Sequence, residues 1–247
     1  MKKFFARFGA PLAVAALLCA GIAGQVALAH VRIEETPHIG ESVIAALGGA
    51  RALASEVVWY RVNRLEQDGR FGELMQLADL LTKLEPHDAE VWTYSGWNLA
   101  YNISSRMPRI EDRWRWVYAG MRLMRDSGLS WNPGDPDICR ELAFMFEMKI
   151  GLDNMDVAAP LYREEWRKIV ADAAARDAWA EIGMDRARMD EISRREGMTD
   201  WSNPQAVAYY FADLGMDRAN SSQKPFLNEI RRQTRKLYFE GFKKGAE

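Results

Sequence analysis

The sequence predicts an all-α chain of short antiparallel helical hairpins behind an N-terminal export segment. Apolar residues recur every three or four positions almost without interruption from Leu53 onward, and no alternating run competes for a strand. Two dipeptides, Asp135-Pro136 and Asn203-Pro204, place a capping oxygen before a proline at the first helical position. An uncharged stretch from Phe8 to Ala29 follows Lys2, Lys3 and Arg7. The expected organisation is 1–29 as a signal peptide or N-terminal transmembrane anchor, 30–52 as a linker or first helix, and 53–247 as a helical domain.

A positive flank followed by an apolar run marks an export signal. As a helix the run is long enough to cross a hydrocarbon core of ~30 Å, which favours a retained anchor. Ala27-Leu28-Ala29 is a small-x-small cleavage pattern just before His30, which favours removal. Either outcome keeps the positive flank inside and translocates the rest. The body is therefore expected on the periplasmic or extracytoplasmic side, membrane-anchored or secreted. Cys19 follows Leu18, where a lipoprotein signal requires a small residue.

The chain is 48% hydrophobic and 28% charged with a net charge of −2, which excludes a disordered polyampholyte and a basic nucleic-acid-binding protein. Its two cysteines are Cys19, inside the apolar run, and Cys139, so the body has neither an internal disulfide nor a thiolate metal cluster. No Gly-rich phosphate loop, serine nucleophile elbow, His-Glu-x-x-His or Cys-x-x-Cys occurs. The sequence implies no catalysis, no metal and no cofactor.

The apolar stripes follow in order. Val58, Val62 and Leu65 precede Gly69; Phe71, Leu74, Ala78 and Leu81 come after it. Trp92, Gly96, Leu99 and Ile103 form a third stripe, and Trp114, Val117, Met121 and Met124 a fourth. Ile138, Leu142, Met145 and Phe146 mark a fifth, and Ala158, Tyr162, Trp166 and Ile169 a sixth. Each is one-sided, and short one-sided helices are stable only when packed against one another. At the C-terminus Arg231, Arg232, Arg235, Lys236, Lys243 and Lys244 alternate with Phe226, Ile230, Leu237 and Phe242, the spacing of a basic amphipathic capping helix.

Gly69-Arg70-Phe71 through Leu84-Glu85-Pro86, followed by Trp92 and Gly96, keeps a 34-residue helix-turn-helix register. This segment resembles the tetratricopeptide repeat, in which a glycine ends the first helix, small residues sit mid-helix and a proline after a Leu-acidic pair closes the unit. A second unit runs to Asn132-Pro133 and carries an insertion, read as a loop, around Ser104 to Glu111. A third shows Leu142-Ala143 with Phe146, and a fourth Val207-Ala208 with Phe211 and Gly215. The resemblance is specific from Val58 to Gly96 and degenerate to Tyr238; Ala171 to Gly197 fits no unit. It implies a TPR-like α-α hairpin solenoid of three to four degenerate repeats.

The resemblance further implies that the first helix of each unit lines a concave surface. The row facing it would be Asn63, Trp97, Phe144 and Tyr209, with Trp59, Tyr101 and Arg140 nearby, a groove able to grip an extended peptide or partner helix. The arginine-rich segment with Arg106, Arg109 and Arg113 would form a partner-facing loop beside it. The expected function is that of an exported, membrane-tethered scaffold or accessory subunit in the cell envelope. It would bind a protein or peptide, contact membrane through the N-terminal helix if retained, and bind no nucleic acid. The alternative is a helical small-molecule binder or enzyme, with a pocket where Tyr162, Trp166 and Trp179 converge between the degenerate C-terminal repeats.

Overall fold

The computed structural model describes residues 51–244. The segment over 1–29 expected to direct export, and residues 30–50 of the expected linker or first helix over 30–52, lie outside them. Every regular element among the described residues is helical, and none of these helices is long and apolar enough to cross a membrane. Where periodicity predicts one domain over 53–247, the chain divides into two compact units, the first ending at Glu85 and the second beginning at Pro86.

The first unit contains helices α1 (Arg51–Gln67) and α2 (Phe71–Leu84) packed as a hairpin. α1 buries Val62 and Leu65, and α2 buries Leu74, Ala78, Leu81 and Leu84. The turn is set by Gly69 at φ +69°, a left-handed conformation that suits glycine. It lets the Gly69 N–H donate to the Glu66 carbonyl (3.0 Å) and the Arg70 N–H to the Leu65 carbonyl (2.9 Å), satisfying two of the orphan carbonyls at the end of α1. Arg51 and Glu85, at opposite ends of the pair, meet at 3.4 Å.

The second unit begins with α3 (Ala89–Trp97), continued by a widened turn (Asn98–Ile103) and a tight one (Ser104–Arg106). α4 (Ile110–Arg122) is continued by a widened turn (Leu123–Gly128) and a last short turn (Leu129–Trp131). α5 (Pro136–Phe144) is continued by a third widened turn (Met145–Ile150). α6 (Ala159–Arg176), α7 (Arg186–Glu196), α8 (Pro204–Met216) and α9 (Lys224–Lys244) complete it. Pro86 ties its start together, its carbonyl accepting from Trp92 Nε1 and Asn132 Nδ2, each at 2.8 Å.

The fourth and fifth stripes are buried as the spacing predicts, Val117, Met121, Ile138, Leu142 and Phe146 completely. The third departs: Leu99 is half-buried and Ala100 takes its place inside. A widened turn holds one more residue than an α-turn, so the inward face slips by one position there. The insertion predicted as a loop around Ser104 to Glu111 is mostly helix, with Met107 to Arg109 alone linking the lengthened α3 to α4. Nothing in that stretch breaks a helix before Pro108.

α8 is the centre of the second unit, buried nearly all round and packed against both α5 and α9. Its run Ala206-Val207-Ala208 and the glycine at 215, which lies against Cys139 of α5, permit that approach. α9 turns Leu227, Thr234 and Tyr238 inward, not the predicted Phe226 and Leu237. The Tyr238 hydroxyl fixes this rotation by accepting from the Thr199 and Asp200 N–H groups at 3.0 and 2.9 Å. Phe226 is thereby left 64% exposed.

Candidate functional site

An open groove of about 560 Å³ lies in the second unit between α3, α5 with its widened turn, and α9. Trp97, Phe144, Met148, Phe226 and Ile230 give it apolar walls, and Arg140, Glu141, Glu147, Glu229 and Gln233 complete the lining. The volume lies within the ~300–1,000 Å³ common to ligand pockets.

Helical spacing assembles one wall, since Arg140, Glu141, Phe144, Glu147 and Met148 fall on one face of α5 and its continuation. α5 is anchored by Asp135, whose Oδ1 accepts from the Asp137 and Ile138 N–H groups at 2.9 and 3.1 Å. The opposite wall is held by α9, where Gln223 Nε2 donates to Asp137 Oδ2 at 2.8 Å just before the helix begins.

Trp97 is 38% exposed and stacks on Tyr101, with ring centroids 3.9 Å apart and planes 15° from parallel. Phe144 stands 6.4 Å from Trp97, its ring plane 24° from parallel. The three rings form a rigid aromatic shelf. Beneath it, Lys149 Nζ sits 5.1 Å from the Tyr101 ring centroid and 2.6 Å from Asp156 Oδ2. Asp156 also accepts from Tyr162 Oη (3.0 Å), the Ala158 N–H (3.0 Å) and Arg113 Nη1 (3.2 Å). Burial works to raise the Asp156 carboxyl, but the bonds from Lys149, Ala158 and Tyr162 hold it below the usual range. This nearly enclosed cluster braces the shelf from behind.

The charges on the groove wall are unequal. Arg140 is committed to Asp137 Oδ1 (2.9 Å) and Glu141 Oε1 (3.2 Å), and Glu229 to Arg232 Nε (2.9 Å). Glu147 is 6% exposed and has no ion-pair or hydrogen-bond partner for its carboxyl among the described residues. Burial, with Glu229 adding repulsion, pushes it up to about 7.

No family model, curated protein or solved structure matches this chain. The site therefore stands on its own geometry.

Of the residues singled out from sequence, the structure brings Trp97, Tyr101, Phe144 and Arg140 together around this groove. Trp59 and Asn63 belong to α1 of the first unit, half-buried and exposed respectively. Tyr209 does not join them. Packed beneath α9, it is 2% exposed, donates its hydroxyl to Glu196 Oε1 (2.8 Å) and accepts from Arg231 Nη2 (3.0 Å). α8, expected as the first helix of a fourth unit, is central, and among the described residues it carries no outward row.

Of the arginines, Arg106 is exposed at the end of the helical extension and Arg109 pairs with Asp112 at 2.8 Å. Arg113 is turned inward to Asp156. It acts as part of the brace, not as a partner-facing group. Of the aromatics named for the alternative pocket, Tyr162 and Trp166 are core residues, while Trp179 lines a separate depression with Met184 and Tyr210. Phe226 and Ile230 are expected from sequence only as apolar residues of the basic C-terminal helix, not of this groove, and Glu147 carries no signal that singles it out in the sequence. Glu147 lies three residues beyond Phe144 and seven beyond Arg140, the spacing that defines the wall.

Proposed function

We propose that this protein is a TPR-like scaffold or accessory subunit that holds another protein through the groove between α3, α5 and α9. The observation that carries the reading is the braced aromatic shelf of Trp97 and Phe144 facing the exposed Phe226 across an open cleft. Large exposed aromatics that meet in one depression have the character of interface anchors. The hairpin of α1 and α2, with its glycine turn at Gly69 and its Leu84-Glu85-Pro86 ending, supports the tetratricopeptide-like reading of the first unit. Lys2, Lys3 and Arg7 ahead of the uncharged run support export and tethering in the cell envelope.

Affinity capture from envelope membranes tests this, with the intact chain as bait and Trp97→Ala/Phe144→Ala as comparison. Loss of a discrete partner from a double variant that keeps its helical circular dichroism supports the proposal. Capture that is unchanged by the substitutions overturns it.

A further inference from the structure

We infer that the segment bound in this groove presents a lysine or arginine between apolar residues, the cation meeting Glu147 and the apolar neighbours covering Trp97, Phe144 and Phe226. This rests on the docking reading above and names the chemistry of the occupant.

Charge complementarity carries the argument. The groove holds three carboxylates, Glu141, Glu147 and Glu229, against one guanidinium, Arg140. Arg140 and Glu141 neutralise each other, with Asp137 sharing the guanidinium, and Glu229 is paired with Arg232. Lys149, two residues beyond Glu147, is consumed by Asp156. Of the groups facing the cleft from α5, its continuation and α9, Glu147 alone among the described residues keeps an uncompensated charge. It does so at 6% exposure, where an unpaired carboxylate is costly.

A neutral apolar segment laid over the cleft would strip the remaining water from Glu147 and raise that cost, and an acidic one would add repulsion. A cation delivered by the occupant removes the cost instead. Its alkyl stem would lie along Met148 and Ile230, which line the same groove.

The test selects from a displayed library of random peptides of ~15 residues on the intact chain, then compares each selected peptide with an analogue carrying norleucine for its basic residue. The expected result is enrichment of one Lys or Arg flanked by aromatic or large aliphatic residues. Norleucine should weaken binding about 10-fold or more on the wild type at pH 8 and less than about 2-fold on Glu147→Gln. Affinity of the basic peptide should fall from pH 8 to pH 5 as Glu147 protonates.

Peptides that bind through Trp97 but tolerate norleucine overturn the cationic inference and leave the docking reading standing. Absence of any peptide weakened by Trp97→Ala overturns both. Enrichment of sequences matching residues 1–50, or self-association abolished by Phe226→Ala, assigns the groove to this chain itself and overturns the partner.

Discussion

Gly120 of α4 lies so close to Gly96 of α3 that a Cβ built on it would stand 2.4 Å from the Gly96 carbonyl oxygen and 3.1 Å from the Ala100 Cβ. The two helices touch backbone to backbone there, at the residue just before Trp97, whose side chain lines the groove. Gly96, read from sequence as the small residue of a helical hairpin, has that role in the structure, and its opposite number is another glycine.

Gly120→Ala must push α3 and α4 apart, because the atom it meets belongs to rigid backbone. The expected loss is about 3 kcal/mol, read as a drop in the urea midpoint. Gly72→Ala serves as comparison: nothing lies within 4 Å of its Cβ position and it is the second residue of α2, so a gain of no more than about 0.5 kcal/mol is expected. Equal effects at the two positions would contradict the close approach.

Glu147→Gln separates charge from shape. Glu147 is raised from its ordinary 4.5 to about 7, so the folded chain disfavours its ionised form. The stability it contributes is complete below 4.5, is lost as pH rises through about 7, and stays lost above that. The variant should match the wild type within about 0.5 kcal/mol at pH 4 and exceed it by ~2–3 kcal/mol at pH 8, measured by denaturant titration across pH. A difference that does not vary with pH would refute the burial of an unpaired carboxylate.

Asp213 of α8, its side chain 10% exposed, takes Arg188 Nη1 at 2.9 Å, Arg195 Nη2 at 2.6 Å and Arg231 Nη2 at 3.2 Å. It joins α7, α8 and α9 at one point. Asp213→Ala removes the carboxylate the three guanidiniums share, while Arg188 keeps Asp217 and Arg195 keeps Glu191 and Glu196, and should cost about 2–3 kcal/mol. Hydrogen exchange should then show faster opening of α7 and α9 first, since these are the helices whose arginines lose their shared partner. Unchanged exchange in both helices would show the network to be dispensable.

Phe226→Ala should leave stability within about 0.5 kcal/mol, because the ring is 64% exposed, whereas Phe146→Ala, completely buried against Trp166 and Phe211, should cost about 3–5 kcal/mol. Thermal melts of the two decide the matter. A large loss at Phe226 would place its ring in the core instead of on the groove.

What local chemistry decides was legible. The turn at Gly69, the proline starts at Pro136 and Pro204 and the buried pair Val117 and Met121 each follow from one residue's conformation or from four-residue spacing. What depends on distant partners was not. The rotation of α9 is set by the Tyr238 hydroxyl reaching Thr199 and Asp200, and no periodicity within α9 encodes that bond. Tyr209 went inward because α8 is covered by α9, a fact of topology. Trp97, Arg140 and Phe144, singled out by helical spacing on α3 and α5, line the groove. Glu147 escaped because a charged residue on a helix ordinarily faces water, and only the packing reveals that most of this one is covered.

The most direct test of the docking account is site-specific photo-crosslinking in cells producing the full chain, with a photoreactive phenylalanine analogue replacing Phe226, or Val157 as the comparison site, which is 75% exposed outside the groove. The account predicts one discrete adduct from position 226, lost on adding Trp97→Ala and absent from position 157. No adduct at 226, or the same adducts from both positions, would contradict it.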